Sequence, residues 1–154
     1  MESIKKIASF TVDHTTLRPG IYVSRADGDV TTYDLRTRTP NTDDLMDHGT
    51  MHSLEHMLAT FLRNSEIASD VLYFGPMGCQ TGFYLLVRNA DNARVLAAVK
   101  DSLEKTLRHE GEIFGNSEIE CGNYRTLSLS LAKSEAERYL AVLNEKKEWS
   151  FCYE

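Results

Sequence analysis

His52, Glu55 and His56 lie within the segment Thr50 to Arg63, which reads TMHSLEHMLATFLR. In a helix, residues four apart stack on one face, so the two imidazoles aim at a single point and Glu55 sits about 60° to the side of His52. Such an arrangement suits a metal ion with an acid/base carboxylate beside it. The order HxxEH is the reverse of the commoner HExxH zinc signature, and it still leaves the glutamate one helical step from both ligands. An i, i+4 histidine pair also fits a solvated face or two hydrogen-bonded core histidines, so a third ligand must decide. Catalytic sites of this kind use three protein ligands and keep one position open. Cys121, 65 residues beyond His56, follows a loop and precedes Gly122, so it is free to reach back to the helix. Cys79 lies in the glycine-rich run GPMGCQTG, where it is either a small turn residue or an accessible thiol. With Glu55 it would give two acid/base groups beside a Lewis acid, a combination suited to moving protons next to a polarised carbonyl.

The rest of the 154-residue chain must position these groups. The histidine helix is expected from Met51, Leu54, Leu58 and Phe61 or Leu62, whose spacing buries the face turned away from the histidines. Gly49 argues against continuing that helix back to His48. Ile7 to Asp13 reads as a strand, with Ser9 and His14 on opposite faces unless the chain bends. Ile21 to Ala26 and Val30 to Thr37 read as a hairpin joined through Asp27-Gly28 in a type I′ turn. In its second strand Tyr33 and Leu35 share one face, Asp34 and Arg36 the other; a lone strand arginine is ordinarily a solvated charge unless that face lines a cleft. Val71 to Phe74 and Phe83 to Val87 flank the Cys79 turn as two strands, the second apolar on both faces and so buried. Asp91 to Glu110 forms a second helix, closed by Gly111 and with His109 at its negative end. A third helix is expected from Ser134, where Ser134 and Glu137 make a capping box. Trp149, Phe151 and Tyr153 should dock on the core or on a second subunit. The order of elements predicts a single α+β domain over residues 1–154, an antiparallel sheet with helices packed on one face.

Composition narrows the partners. With 17 Lys+Arg against 23 Asp+Glu, a net charge of -6 and no basic stripe, nucleic acid is not expected. No apolar stretch approaches the ~20 residues needed to span a bilayer, so no membrane partner is expected. MESIKKIASF lacks the apolar core of a signal peptide, which predicts a cytoplasmic protein. The 3 cysteines would then stay reduced, and Cys152 is given no role.

Taken together, SFTVDH (9–14), TMHSLEHM (50–57), GPMGCQTGFY (75–84) and ECGNYR (120–125) resemble the motifs of the S-ribosylhomocysteine lyases, the LuxS-type enzymes of autoinducer-2 synthesis. The resemblance implies that His52, His56 and Cys121 bind one divalent metal, ferrous iron in the family with zinc or cobalt as substitutes. It makes Glu55 and Cys79 the acid/base pair and places Ser9, His14 and Arg36 near the sugar. Arg63 is a further candidate, for the homocysteine carboxylate. It also implies a homodimer with its active sites at the subunit interface. The substrate would be S-ribosylhomocysteine, a methyl-cycle product. The implied reaction moves a carbonyl from C1 to C3 and eliminates homocysteine, leaving 4,5-dihydroxy-2,3-pentanedione, the quorum-sensing precursor. Departures at Phe74-Gly75 and Phe83 are expected to touch the pocket lining. Two other readings remain at this point. One is an inverzincin-like metallopeptidase using Glu118 or Glu120 as third ligand, and the other a non-catalytic metal-binding dimer module.

Overall fold

The computed structural model describes residues 3–153. Four strands form one antiparallel sheet: β1 (Gly20–Asp27), β2 (Val30–Arg36), β3 (Val71–Pro76) and β4 (Gly82–Arg88), in the order β1-β2-β4-β3. Three helices, α1 (His48–Leu62), α2 (Asn92–Arg108) and α3 (Leu129–Leu143), pack against one another and against one sheet face. This is the expected α+β architecture. Cross-strand partners share a face, so Ile21, Leu35 and Phe83 line up towards the helices, as do Val23, Tyr33 and Leu85. With Leu54, Leu58 and Leu62 of α1 and Val99 and Leu103 of α2 they make the main core. Among the described residues no helix is long and apolar enough to cross a membrane.

The other face of the sheet carries Tyr22, Asp34 and Tyr84 in one row and Tyr73 and Leu86 in the next. Gly20 and Gly82 stand on either side of Arg36 across the ladder. A Cβ at Gly20 would stand 2.6 Å from the Trp149 ring, so glycine there lets that ring lie against the strand. Gly82 is further constrained because a Cβ there would come within 2.4 Å of the Leu35 carbonyl oxygen.

Several expected boundaries are corrected. Residues 7–13 are not a strand: Ala8–Phe10 is a 3-10 turn, with the Thr11 hydroxyl donating to the Ala8 carbonyl. The reason lies on the edge of β1, where the Val23 N–H already donates to the Phe151 carbonyl at 2.8 Å, so the late segment 149–153 occupies that edge. The hairpin loop is Gly28-Asp29 rather than Asp27-Gly28, since Asp27 stays in the ladder opposite Val30 and its carboxylate holds Arg25. Gly28 has φ +61° and Asp29 is not in the positive-φ region, so the turn is type II′; type I′ needs a positive φ at both loop positions. Helix α1 begins at His48 despite Gly49. A side chain at 49 would press on the Thr126 carbonyl and on Leu131 at 3.2 Å, so glycine there lets the helix start close to that loop. Helix α3 begins at Leu129, capped by Ser128, and Ser134 and Glu137 are exposed positions within it. Phe74 and Phe83 stack at 5.1 Å inside the core.

The N-cap of α1 fixes the register of its histidines. The Asp47 carboxylate accepts the Thr50 N–H at 2.7 Å, and this hydrogen bond holds the Asp47 carboxyl below its ordinary range. A lowered folded-state value means that the stabilisation is present above the unfolded value and is lost as pH falls. Asp47→Ala should therefore cost about 1 kcal/mol at neutral pH. The difference should shrink towards about pH 3, and urea unfolding of the metal-free protein at both pH values measures it.

Candidate active site

Two constellations emerge, one on α1 and one around the turn between β3 and β4. On α1, the Cys121 Sγ lies 3.5 Å from His52 Nε2 and 3.7 Å from His56 Nε2. The opposite ring atoms are tied down: His56 Nδ1 donates to the Phe114 carbonyl at 2.7 Å, and His52 Nδ1 meets the Thr126 hydroxyl at 2.8 Å. Because the Thr126 hydroxyl donates to the Asn123 carbonyl, it accepts from His52. Both histidines thus carry their proton on Nδ1 and turn a lone pair on Nε2 towards the sulfur. Burial, together with the neighbouring His56 and His48, lowers His52 and favours that neutral form.

His52, His56 and Cys121 form a group whose ligand atoms lie within 4.8 Å of one another. An ion at about 2.0–2.3 Å from tetrahedrally placed nitrogen and sulfur ligands needs them about 3.5–3.8 Å apart, which the two sulfur–nitrogen distances match. The donor set of two imidazoles and one thiolate fits a divalent transition ion and leaves one position open. The hydrogen bonds to Phe114 and Thr126 are the outer contacts that orient such ligands. Gly115, at φ +70°, is required here: a Cβ would stand 2.8 Å from His56 Nδ1. Glu118 and Glu120, offered above as third ligands, are both exposed, and Glu120 accepts from the Ser117 hydroxyl at 2.7 Å. Glu55 is half-buried beside this group, and burial raises its carboxyl above the usual range.

The second constellation centres on Cys79, which is exposed. Its sulfur lies 3.0 Å from the Thr81 hydroxyl and 4.0 Å from Arg36 Nη1. Arg36 is not solvated: its side chain is 3% exposed and its Nη2 donates to Asp34 Oδ2 at 2.6 Å, while Nη1 donates to Thr81 at 2.7 Å. Burial opposes the charge on Arg36, and the adjoining Asp34 carboxylate outweighs it, so the guanidinium is held firmly protonated. The turn itself is fixed by Gln80 at φ +66°, whose amide donates to the Met46 carbonyl at 2.8 Å.

Ser9 lies in the 3-10 turn, half-exposed, and His14 Nδ1 donates to the Val12 carbonyl at 2.8 Å. The bend between them removes the opposition of faces that a straight strand would impose. Arg63 is at the far end of α1, about 10 Å along the axis beyond His56. Its guanidinium donates to the carbonyls of Val71 and Leu72, so it is not gathered with the ligands. The sequence does not mark Thr126, Gly115, Thr81, Asp34 and Tyr153 as site residues. Only Asp34 carried a signal, its place two residues before Arg36 on one face of a strand.

Comparison with known proteins agrees with this geometry. The sequence profile described as S-Ribosylhomocysteinase (LuxS) matches residues 7–150. The chain is 44% identical over 155 residues to an S-ribosylhomocysteine lyase from Finegoldia magna, covering 97% of this chain and 99% of that one. It is 42% identical over 156 residues to the Borreliella afzelii S-ribosylhomocysteine lyase and 44% over 157 residues to that of Desulfotalea psychrophila, each with 97% of this chain and 99% of the relative covered. A profile match over residues 7–150 and relatives 42–44% identical over 97% of this chain together show that the chain belongs to the S-ribosylhomocysteinase (LuxS) family.

Proposed function

We propose that this chain cleaves the thioether of S-ribosylhomocysteine to homocysteine and 4,5-dihydroxy-2,3-pentanedione. The observation that carries the reading is the convergence of His52, His56 and Cys121 with Glu55 alongside. A peptidase would instead need Glu118 or Glu120 as a ligand, and both face solvent.

His52, His56 and Cys121 would hold one divalent ion, ferrous iron by resemblance, which when bound would supply Lewis-acid stabilisation of the negative charge that develops on sugar oxygens. Cys79, as thiolate, takes the proton from C2 while C1 gains one, and then from C3 while C2 gains one, so the carbonyl passes from C1 to C3. Arg36 Nη1 lies 4.0 Å from that sulfur. A carbonyl at C3 acidifies the proton on C4. Its removal forms the C4–C5 double bond, breaks the C5–S bond and sends the electron pair to sulfur. Glu55 performs the transfers on the opposite sugar face and protonates the leaving sulfur, a role suited to a carboxyl that burial keeps protonated more readily. The resulting enol takes a proton at C5 and becomes the diketone. Ser9 and His14 contact the sugar in this reading.

The active unit is a homodimer whose subunits complete each other's sites. Support comes from the apolar side chains on the early segment, Ile7 at 57% and Phe10 at 69% exposure. Further support comes from the sheet: Arg36 lies on the face opposite the helices, whereas α1 packs on the other. A single chain therefore presents its two constellations on different sides. Mixing inactive Glu55→Gln and Cys79→Ala subunits tests this: if one site draws on both chains, each mixed dimer regains one intact site, about a quarter of wild-type activity in a random mixture. Recovery absent from verified mixed dimers contradicts the shared site. We place the reaction in a reducing cytoplasm, where Cys79 and Cys121 stay free thiols.

Trapping with 1,2-diaminobenzene tests the reaction class. A vicinal diketone is captured after elimination, whereas a hydrolase would release free ribose and leave nothing to capture.

A further inference from the structure

Asp34 and Arg36 form a buried pair with an imperfection. Asp34 is 1% exposed and Arg36 2%, yet Asp34 Oδ1 and Arg36 Nε have no hydrogen-bond partner. The pair meets through one oxygen only. Asp34 Oδ2 accepts from Arg36 Nη2 at 2.6 Å and also from the Tyr153 hydroxyl at 2.7 Å. An arginine and a carboxylate left to themselves prefer two parallel hydrogen bonds. Here that fork would use Nε with Oδ1, the two orphaned atoms, and would satisfy both. It would also rotate the guanidinium and carry Nη1 away from Thr81 and Cys79. Buried unsatisfied atoms beside a reactive group are costly and persist only where the surroundings hold them.

What holds them is the segment 149–153. Tyr153 stacks on Tyr22 with ring centroids 5.0 Å apart, and Phe151 packs edge-on against Tyr33 at 6.2 Å. The Phe151 carbonyl accepts from Val23 N–H at 2.8 Å, and Trp149 Nε1 donates to the Leu143 carbonyl at 3.0 Å. Phe151 adopts φ +62°, a left-handed conformation unusual for a bulky residue, which lets its ring enter the core. These anchors bring the Tyr153 hydroxyl onto one particular oxygen of Asp34.

We propose that Tyr153 is a positioning residue for the proton-moving cysteine: its hydroxyl holds Asp34 in the one-oxygen grip that leaves Arg36 Nη1 turned towards Cys79. The segment 149–153 is thereby part of the reaction apparatus without touching substrate. This inference rests on the reading of Cys79 as an acid/base group.

Alkylation of Cys79 by iodoacetamide, followed by peptide mass spectrometry on the metal-loaded protein at neutral pH, reads the charge around the sulfur independently of turnover. Tyr153→Phe keeps the stack on Tyr22 and removes only the hydroxyl. Cys79 should then alkylate about threefold to tenfold more slowly, the range expected for loss of one hydrogen bond, with kcat lowered by a similar factor and KM unchanged. Cys79 is already exposed, so mere loosening would leave its alkylation as fast or faster. An unchanged or faster rate overturns the proposal. In an Arg36→Lys background the same substitution should change the rate by less than about twofold, and an equal effect in both backgrounds also overturns it. Slower alkylation with wild-type kcat would uphold the positioning role and instead overturn the assignment of Cys79 to the reaction.

Discussion

Replacing Cys121 by serine should strip the protein of its metal and its turnover together. The hydroxyl is a harder, weaker ligand than a thiolate and stays protonated at neutral pH, so the site loses both a donor and a negative charge. Loss of contacts that merely orient a ligand lowers metal affinity by about 10- to 100-fold, and removal of a ligand itself should exceed that range. Metal content after dialysis measures the effect. Glu118→Gln and Glu120→Gln should keep the full complement, since both carboxylates face solvent and Glu120 is occupied by Ser117. A serine variant that keeps its metal, with loss on either glutamine change, would move the chain to the peptidase reading.

Glu55→Gln should lower kcat by about 10²- to 10⁴-fold with metal content unchanged, the usual scale for deleting a general acid/base group. The amide keeps the shape and polarity of the side chain and removes only its proton chemistry. The direction of the shift also fixes what this substitution should do to folding. Burial raises Glu55 in the folded protein, so its contribution to stability is fully present below the unfolded value and is lost as pH rises through the folded one. Burial disfavours the charged carboxylate at that site. In the metal-free protein the glutamine variant should therefore unfold at the same temperature as wild type or higher, which calorimetry measures. A lower unfolding temperature would attribute the lost activity to misfolding.

What could be read from the chain, and what could not, divides by distance along it. The i, i+4 step that puts His52 and His56 on one face is a local property of a helix, and so is the alternation that sets Asp34 and Arg36 on one face of β2. Cys121 was reachable because one open question, a third ligand, had few candidates. The burial of Arg36 is not legible: a strand arginine looks solvated until Asp34 and Thr81 bond it, and Tyr153, which bonds Asp34, lies 119 residues away. Residues 7–13 have the composition of a strand, but the β1 edge they would need is taken by Phe151. The start of α3 reads late in the sequence because Ser134 with Glu137 makes a plausible cap, while Ser128 has partners outside the helix: its N–H donates to Ser53 Oγ at 2.8 Å. Gly115 carried no signal, because its constraint is the His56 ring folded against it.

Release of homocysteine is the most direct test. Anaerobically purified protein loaded with ferrous iron or cobalt is given S-ribosylhomocysteine, and new free thiol is followed beside Glu55→Gln and Cys79→Ala controls. The account predicts thiol in step with trapped diketone from the wild type, and none above background from either variant at unchanged metal content. No thiol from metal-loaded, dimeric wild-type protein would contradict it.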